Sequence, residues 1–548
     1  MNPFTADLVR ESHEVTNQVL PLTGYNLFLT DSTLVRTVER EAAWARPQLS
    51  ELGHLLGTPE AQGWGFDANE NKPVLHTHDR MGNRRDEVVF HPAWHSLMQT
   101  SINHQVHSLP WVLEKPGAHV ARAVLMMMTA QNEAGHTCPV SMTFSGIAAL
   151  QAEPDLAREW KPKLLSANYD PGLRPLQEKS GGLLGMGMTE KQGGSDVRAN
   201  TTRAERAGSS REYLITGHKW FCSAPMCDAF LVLAQAPKGL TCFLLPRWQP
   251  TGERNRFYLQ RLKDKMGNRS NASSEVEFDH AWAQRVGEEG RGVHAIIEMV
   301  NHTRLDCAIA AAALMRQAVV QALHHAKHRA AFGKLLIDQP LMRNVLADLM
   351  IESEAATQFM LRLAAAFDAR TSDPRQRSFA RVATAIAKYW LCKKAPVHVG
   401  EALECLGGNG YIEESIMPRL YREAPLYSIW EGSGNVICLD ILRALAKDAG
   451  AAESIMDELR QSANRIPAFD AFVSGLESGL VAAAAGAEPE VTARRLAEKL
   501  ALALQASLLI RHSSPAVAEA FVASRLGGQS GRTFGTLPEI DFGAILNS

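Results

Sequence analysis

The sequence lacks most of the features that identify a function at first sight. Its eight cysteines form no Cys-x-x-Cys pair, which argues against a disulfide framework and a zinc site and is typical of a reduced compartment. The formal net charge is only −2, so there is no overall attraction to nucleic acid or to a membrane surface. The first residues include no basic segment followed by an apolar one, and no apolar run is as long as a membrane span. We therefore expect a cytoplasmic protein with no secretory signal, no contact with a membrane and no bound metal.

The chain of 548 residues is long enough to form several domains, and its texture changes along the sequence. Helix-type segments come first, short β-type runs separated by turn residues follow, and helix-type segments then return. This order predicts a mainly α fold with a central β domain. The predicted parts are an N-terminal helical domain (1–182), a small antiparallel β domain (183–289), a C-terminal helical bundle (290–447) and a helical extension (448–548).

Particular segments support this division. Within the β domain, the runs Phe230–Leu233, Thr241–Leu245 and Glu275–Phe278 are typical of strands. In the bundle, Ala308–Arg329 is one long helical segment, and Pro340 suits the first turn of the next helix. The extension carries an apolar stripe that must pack against another surface, formed by Leu496, Leu500, Leu504 and Leu508.

One short segment holds an isolated carboxylate in an unusual setting. Glu431 lies between Trp430 and Gly432 in the sequence Trp-Glu-Gly-Ser-Gly-Asn. Because glycine has no Cβ, backbone and carboxylate can both approach a flat ligand closely. An isolated glutamate usually caps a helix or serves the structure, but the neighbouring aromatic and glycines favour a catalytic position here.

Two further glycine-rich segments lie far from Glu431 in the sequence. They are Met188–Asp196, which reads Met-Thr-Glu-Lys-Gln-Gly-Gly-Ser-Asp, and Gly407–Tyr411, which reads Gly-Gly-Asn-Gly-Tyr. Glycines allow a backbone to come near phosphate or ring atoms without a Cβ clash. Taken alone, the first segment would predict no more than a turn.

Together, the three segments resemble the acyl-CoA dehydrogenase family, whose fold holds FAD against an acyl thioester. Removing hydrogen from a thioester requires a base for the α proton and a hydride acceptor beside the β carbon; a carboxylate suffices as the base and the flavin is the acceptor. The resemblance therefore implies that FAD is the cofactor, that an acyl thioester is the substrate and that Glu431 is the catalytic base. It also assigns Trp430 and Arg304 to the substrate pocket.

The same resemblance assigns residues of the β domain to FAD. Met188, Thr189 and Ser195 match positions that contact the flavin ring and the pyrophosphate. The sequence Gly-His-Lys-Trp-Phe-Cys-Ser resembles a strand in which Phe221 would stand beside the isoalloxazine and Ser223 would place its hydroxyl near N5. Without the resemblance, Phe221 would be interpreted as an ordinary core aromatic.

The helical bundle supplies the rest of the predicted FAD site. Arg329 and Phe332 match an Arg-x-x-Phe-Gly element whose arginine reaches the pyrophosphate of an FAD bound mainly by a neighbouring subunit, since a guanidinium fork suits phosphate. Gly407 and Gly408 would admit the adenosine diphosphate. Two more cofactor-binding residues follow the predicted base, Ser433 and Asn435. A site shared between subunits implies an oligomer, and the family suggests a homotetramer.

Three positions depart from the family pattern. Lys191 stands where proline is usual. Pro340 and Glu404 each replace a glutamine on the adenine side of the predicted FAD site.

Among the branches of the family, the sequence resembles the alkylation-response AidB branch best. The similarity lies in Gly185–Asp196, Lys263–Ser273 and Ser428–Asn435, and in the long C-terminal extension. Members of this branch bind FAD, form tetramers and are linked to protection from DNA alkylation; double-stranded DNA binding is attributed to the extension, and dehydrogenase activity is at best weak. The resemblance therefore adds double-stranded DNA as an expected partner.

The charge of the extension argues against DNA binding by this region as a whole. Residues 444–548 contain nine basic and twelve acidic residues, a net charge of −3, whereas a phosphate-binding module is normally basic. Arg494, Arg495 and Lys499 are the candidates for a local basic face that several subunits could complete. On charge alone, a solvated helix face is the simpler interpretation.

Two functions remain open. The first is α,β-dehydrogenation of a short or branched acyl thioester, because Trp430 is larger than the tyrosine usual in the family and would narrow the pocket. The second is an AidB-like DNA-alkylation-response flavoprotein that binds double-stranded DNA through its extension and has little dehydrogenase activity. The sequence specifies neither the true substrate nor the electron acceptor.

Overall fold

The N-terminal part of the computed structural model is helical and is interrupted by one β-hairpin. The structure describes residues 13–208, 211–485 and 488–547. The helices of this part are α1 (Ser32–Glu41), α2 (Arg46–Leu56), α3 (Pro59–Glu70), α4 (Pro92–Asn103), α5 (Leu109–Val112), α6 (Ala118–Asn132), α7 (Thr137–Leu150) and α8 (Pro154–Leu164). The hairpin consists of the antiparallel strands β1 (Val74–His78) and β2 (Arg84–Val89).

Local sequence explains where several of these helices begin, but it does not reveal the hairpin. Asp31 caps α1 by accepting hydrogen bonds from the amides of Thr33 and Leu34, and Thr58 caps α3 directly before its first proline. Every residue of α7 is buried. By contrast, β1 and β2 are mostly polar and largely exposed, so they show little of the apolar alternation that predicts a strand.

The middle of the chain forms a seven-stranded β domain, in agreement with the prediction. Its strands are β3 (Leu184–Gly187), β4 (Arg203–Arg206), β5 (Glu212–Ser223), β6 (Ala229–Ala236), β7 (Gly239–Pro246), β8 (Phe257–Leu262) and β9 (Ser273–Val286). The sheet closes on itself in the order β6, β7, β9, β5, β4, because β4 also pairs with β6. Two further strands lie outside this ring: β3 pairs with β6, and β8 pairs with β9. The domain differs from the predicted antiparallel arrangement because β3 and β4 pair with β6 in parallel.

The second helical part contains the longest helices of the described chain. Its elements are α9 (Gly292–His328), β10 (Ala330–Ala331), β11 (Lys334–Leu335), α10 (Pro340–Ala369), α11 (Pro374–Glu404), α12 (Met417–Glu423) and α13 (Gly434–Lys447). Pro340 occupies the first turn of α10, as predicted. After α11 the chain turns at Gly407, whose φ of 60° falls in the left-handed region that favours glycine.

Helix α9 is long and apolar enough to meet the length and composition of a membrane span. This finding corrects the sequence-based expectation that no segment would qualify. However, 72% of its most apolar window is buried inside the protein, where α9 packs against α6, α7, α10 and α11. A buried core helix therefore accounts for its composition.

The predicted extension is helical and packs directly onto the bundle. Its helices are α14 (Ala449–Arg460), α15 (Pro467–Ala485), α16 (Pro489–His512), α17 (Pro515–Phe521) and α18 (Phe542–Leu546). The leucines of the predicted stripe are all buried, and α16 contacts α10, α11 and α13. The extension consequently shares a hydrophobic core with the bundle.

Candidate active site and cofactor-binding residues

Glu431 occupies a short loop immediately before α13. Its Oε2 accepts a hydrogen bond of 2.7 Å from the hydroxyl of Thr303 on α9. Its φ is 58°, a left-handed conformation that few residues other than glycine adopt, and Gly432 follows with a φ of 110°. The backbone therefore turns sharply at these two residues and directs the carboxylate to α9.

Basic side chains hold this loop by its carbonyl groups. Arg304 donates from Nε to the Glu431 carbonyl over 3.1 Å, and Lys388 donates to the carbonyl of Gly432. Asp440 fixes Arg304 in turn, with Oδ2 2.8 Å from Nη1. The sequence assigned Arg304 to the substrate pocket. In the structure, its guanidinium binds the loop that carries the predicted base.

The surroundings of Glu431 shift its acidity. Burial raises the pKa of the Glu431 carboxyl above its ordinary value, whereas the hydrogen bond from Thr303 and the charges of Arg304 and Lys388 act in the opposite direction. A raised pKa makes the ionised carboxylate a stronger base. This arrangement suits removal of a proton from carbon.

On the β-domain side, a buried ion pair fixes the predicted flavin-contacting turn. The Nζ of Lys219 lies 2.8 Å from Oε1 of Glu190, and both side chains are fully buried. Glu190 also accepts hydrogen bonds from the amides of Thr201 and Thr202. Although burial opposes ionisation, the Lys219 charge and these hydrogen bonds lower the pKa of Glu190 to about 2. Glu190 therefore stabilises the turn, and Ser195 lies exposed within it.

The first glycine-rich segment lies beside strand β5. The carbonyl of Thr189 accepts a hydrogen bond of 2.8 Å from the amide of Trp220, and the carbonyl of Met188 accepts one of 3.0 Å from the Asn200 side chain. Met188 and Thr189 are thus brought next to Phe221, their predicted partner at the flavin.

Phe221 and Ser223 belong to the same strand and have different surroundings. Phe221 is 49% exposed, which is unusual for a phenylalanine inside a strand. Ser223 is partly buried, with its Oγ 3.3 Å from the Oγ of Ser273 on β9. Lys265 donates to the same Ser273 hydroxyl over 2.8 Å. Sequence reasoning did not assign Ser273 or Lys265 to the site.

Cys138, at the start of α7, links the β-domain residues to Glu431. Its buried thiol lies near the side chains of Asn271 and Ser223 on one side and near Glu431 on the other. Burial raises the pKa of the Cys138 thiol to about 11, so the thiol stays neutral. No motif surrounds Cys138, so its position could not be predicted from the sequence.

Trp430 has an unsatisfied polar group beside the predicted base. Its ring meets that of Tyr427 edge-on, with centroids 5.6 Å apart. Within the described parts of the chain, neither the Trp430 indole N–H nor the Tyr427 hydroxyl has a hydrogen-bond partner, although both atoms are buried. Leaving such groups unpaired costs free energy, so a ligand that offers polar atoms would be favoured here.

Arg329 and Phe332 lie on the hairpin between α9 and α10. Arg329 donates a hydrogen bond to the carbonyl of Asn17, and Asn17 exchanges two further hydrogen bonds with the backbone of Ala330. Phe332 is 98% exposed at the tip. The hairpin therefore projects an apolar ring into the surroundings of the chain.

The second glycine-rich segment lies near this hairpin. The side chains of Asn409 and Gln18 meet over 3.5 Å, one residue from the contacts of Asn17. Among the described residues, nothing lies within 4 Å of a Cβ added at Gly407 or Gly408, so both positions have open space around them in this part of the chain. In the described ranges, no hydrogen bond or ion pair joins this group to the residues around Glu431.

Ser433 and Asn435 are exposed at the start of α13. Ser433 is the N-cap residue, but its side chain makes no capping hydrogen bond. Asn435 accepts a hydrogen bond of 2.9 Å at Oδ1 from Nε of Arg494 on α16. Asn435, which was predicted to bind FAD, therefore contacts Arg494, which was predicted to bind DNA.

The other two basic residues predicted for DNA remain on the surface. Arg495 and Lys499 are exposed and lie one turn apart on α16. Neither forms an ion pair with another residue that the structure describes. Their assignment to DNA stays a prediction.

Comparison with known families gives consecutive matches along most of the chain. Residues 17–171 match the adaptive response protein AidB N-terminal domain. Residues 185–281 match the middle domain of acyl-CoA dehydrogenases, and residues 290–446 match their C-terminal domain.

Two relatives and one solved structure each match most of the chain. The chain is 45% identical over 524 residues to AidB of Escherichia coli (strain K12), which covers 95% of this chain and 96% of that protein. It is 31% identical over 466 residues to acyl-CoA dehydrogenase family member 11 of Caenorhabditis elegans, covering 81% and 75%. The crystal structure of Caenorhabditis elegans ACDH-11 in complex with C11-CoA superposes with a TM-score of 0.86 at 26% identity, covering 95% of each chain.

Proposed function

Because the chain belongs to the acyl-CoA dehydrogenase family and is similar to AidB over nearly its whole length, we propose that it removes hydrogen from the α and β carbons of an acyl thioester, with Glu431 as the base. The chain is an FAD-dependent oxidoreductase of the acyl-CoA dehydrogenase type. One observation carries the assignment of the base. Glu431 is held in a left-handed turn against Thr303, at a hydrogen bond of 2.7 Å, in surroundings that raise its pKa.

The residues of this chain fit FAD. The half-exposed Phe221 offers an apolar face, and Ser223 offers a hydroxyl two residues along the same strand. The uncapped start of α13, with Ser433 exposed beside it, leaves backbone N–H groups for phosphate oxygens. The open space at Gly407 can admit a bulky group close to the backbone.

The proposed reaction assigns each nearby residue a task. When bound, FAD supplies the acceptor for the hydride that leaves the β carbon. Glu431 takes the α proton, and the electron pair of that C–H bond becomes the second bond between the two carbons. Thr303 orients the ionised carboxylate, while Arg304 and Lys388 prevent the loop from turning away. Once protonated, Glu431 is a neutral acid, which its buried setting favours.

Trp430 is the basis for the proposed acyl specificity. It borders Glu431, and its bulk leaves less room than tyrosine, so short or branched acyl chains should fit best. The relative ACDH-11 was crystallised with C11-CoA, and a long straight chain is therefore the alternative to test. A panel of straight and branched acyl-CoAs of increasing length distinguishes the two.

A homotetramer would complete the cofactor site. The hairpin of Arg329 and Phe332, together with Gly407 and Gly408, forms a group separate from the one around Glu431. Phe332 is almost fully exposed and would be covered by a second copy of the chain. This arrangement supports a site in which Arg329 reaches the FAD of a neighbouring subunit, and sedimentation of the holoprotein measures the assembly directly.

Replacement of the base tests the proposed function. Anaerobic mixing of the yellow holoprotein with the acyl-CoA panel should bleach the flavin, and Glu431→Gln should slow bleaching by roughly 10²–10⁴ while retaining FAD. Glu414→Gln, at an exposed position outside the site, is the matched control and should behave as the native protein.

Two results would contradict the proposal. If Glu431→Gln bleaches at the native rate, the base lies elsewhere. If no acyl-CoA reduces the flavin of the native protein, the dehydrogenase function itself is wrong.

A further inference from the structure

The C-terminal extension reaches the segment that follows the catalytic base. Arg494 of α16 donates from Nε to Oδ1 of Asn435 over 2.9 Å. Its Nη2 lies 3.5 Å from the position that a Cβ on Gly434 would occupy, so the guanidinium covers the first residue of α13. Gly434 has no side chain there, and this allows the close approach.

The Arg494 contact determines how Asn435 presents its amide. A guanidinium has only donors, so Asn435 must turn its oxygen to Arg494. The amide nitrogen of Asn435, with two N–H donors, then points elsewhere and is free to meet a ligand. The amide N–H groups of Asn435 and the guanidinium of Arg494 are therefore donors at this spot, which suits an anion.

Other groups at the start of α13 are also positively charged or have positive partial charge. The Cε of Lys393 lies 3.1 Å from the Gly434 Cβ position, so a second cation approaches from α11. Neither Lys393 nor Arg494 has an ion-pair partner in residues 13–208, 211–485 or 488–547. Ser433 leaves the first amides of the fourteen-residue helix without a side-chain cap. Two cations, Lys393 and Arg494, therefore lie at the start of α13, with the carboxylate of Glu498 one turn from Arg494 along α16.

We propose that Arg494 is part of the FAD site: the extension orients Asn435 and places a positive charge beside the diphosphate of the cofactor. The inference rests on the proposed function and on the sequence-based assignment of Ser433 and Asn435 to FAD. It gives the extension a role in holding the cofactor, and it assigns Arg494 to FAD instead of DNA. Arg494 acts here through Asn435 and through its charge, and so it is a positioning residue.

Cofactor affinity tests this role without depending on turnover. Apoprotein prepared from the full-length native chain and from Arg494→Gln is titrated with FAD, with quenching of flavin fluorescence as the signal. Loss of the Arg494 charge, and of the hydrogen bond that orients Asn435, should weaken FAD binding roughly tenfold. Arg494→Lys retains the charge and should recover part of the affinity. Arg443→Gln removes the same charge from an exposed position nine residues further along α13, about 13 Å from Gly434, and is the matched control.

Two further measurements separate a local role from a structural one. The Kd of the native protein should rise more steeply with salt than that of Arg494→Gln, since salt screens the missing charge. Riboflavin, which carries no phosphate, should bind both proteins equally. Thermal unfolding of the two apoproteins should coincide, because Arg494 is exposed.

The outcomes are distinct. An Arg494→Gln affinity for FAD within twofold of native overturns the inference, and so does an equal loss in Arg443→Gln, which would indicate a general effect of net charge. A loss that is as large for riboflavin as for FAD also overturns it. If the native apoprotein binds no FAD at all, the proposed function fails and the inference fails with it.

Discussion

Replacing Thr303 with valine should move the pH dependence of flavin reduction. Valine has the shape of threonine but cannot donate to the Glu431 carboxylate, which now accepts a hydrogen bond of 2.7 Å. That bond favours the ionised form, so its loss raises the pKa of Glu431 further above the ordinary value. The rate depends on the ionised fraction, so the acidic limb of the profile should shift to higher pH.

The size of the shift follows from the two acceptors that the Thr303 hydroxyl faces. A hydrogen bond to a charged group contributes roughly 1.5–3 kcal/mol, which corresponds to about 1–2 pKa units. However, the same hydroxyl lies 3.0 Å from the carbonyl of Val300. When Glu431 is protonated, Thr303 can donate to Val300 and accept from the acid, so both states keep a hydrogen bond. We therefore expect the lower end, about one unit.

Stopped-flow reduction across a pH series measures this shift. Below both pKa values Thr303→Val should be about tenfold slower than native, and at high pH the two rates should converge. Thr303→Ser keeps the hydroxyl and should follow the native profile. The infrared carboxyl band that disappears in Glu431→Gln reports the same ionisation without substrate. Profiles of Thr303→Val and native that superimpose would refute the role given to this hydrogen bond.

Three other predictions follow from features described above. Trp430→Ala should extend the accepted acyl chains to longer ones; efficient oxidation of a long-chain acyl-CoA by the native protein would contradict this. Burial is the main cause that lowers the pKa of His119 in the folded chain to about 3. Below pH 6.5, this histidine is therefore protonated in the unfolded chain but stays neutral in the folded chain. Stability should therefore fall as pH drops through this window, and His119→Phe, among aromatic neighbours, should reduce the loss between pH 7 and 5 by up to about 2 kcal/mol in urea unfolding. Duplex DNA should bind weakly, without sequence preference and with steep salt dependence, and charge reversal of Arg495 and Lys499 should lower the salt slope; a gel shift that retains no duplex at low salt would exclude this partner.

The helices and the β domain could be predicted because their signals are local. Pro340 marks the first turn of a helix, and the leucines from Leu496 onward show a period that only a packed helix explains. The parallel pairing of β3 with β6 could not be predicted in this way. This pairing places Leu184 beside Ala229, which lies 45 positions later in the sequence, and no residue next to either one indicates that the two strands will pair.

The candidate site shows the same limit. The glycines around Glu431 are visible in the sequence, but the hydroxyl of Thr303 comes from a position 128 residues earlier. Cys138 and Arg494 have no motif around them, and their contacts depend on how whole helices pack. The sequence therefore identifies residues that carry chemistry, whereas the residues that orient them become apparent only from the packed chain.

The continuity of α9 has a consequence for insertions and deletions. Thr303 lies in this helix and Arg329 follows its last residue, so the spacing between them is set by 26 helical steps, about 39 Å. One inserted residue between them would rotate Arg329 by about 100° around the helix axis and advance it by about 1.5 Å. Such a change keeps every side chain, but in the proposed homotetramer it would misalign either the predicted base or the hairpin whose Arg329 is proposed to reach the FAD of a neighbouring subunit. The length of α9 between Thr303 and Arg329 therefore sets the distance between two parts of the proposed cofactor site.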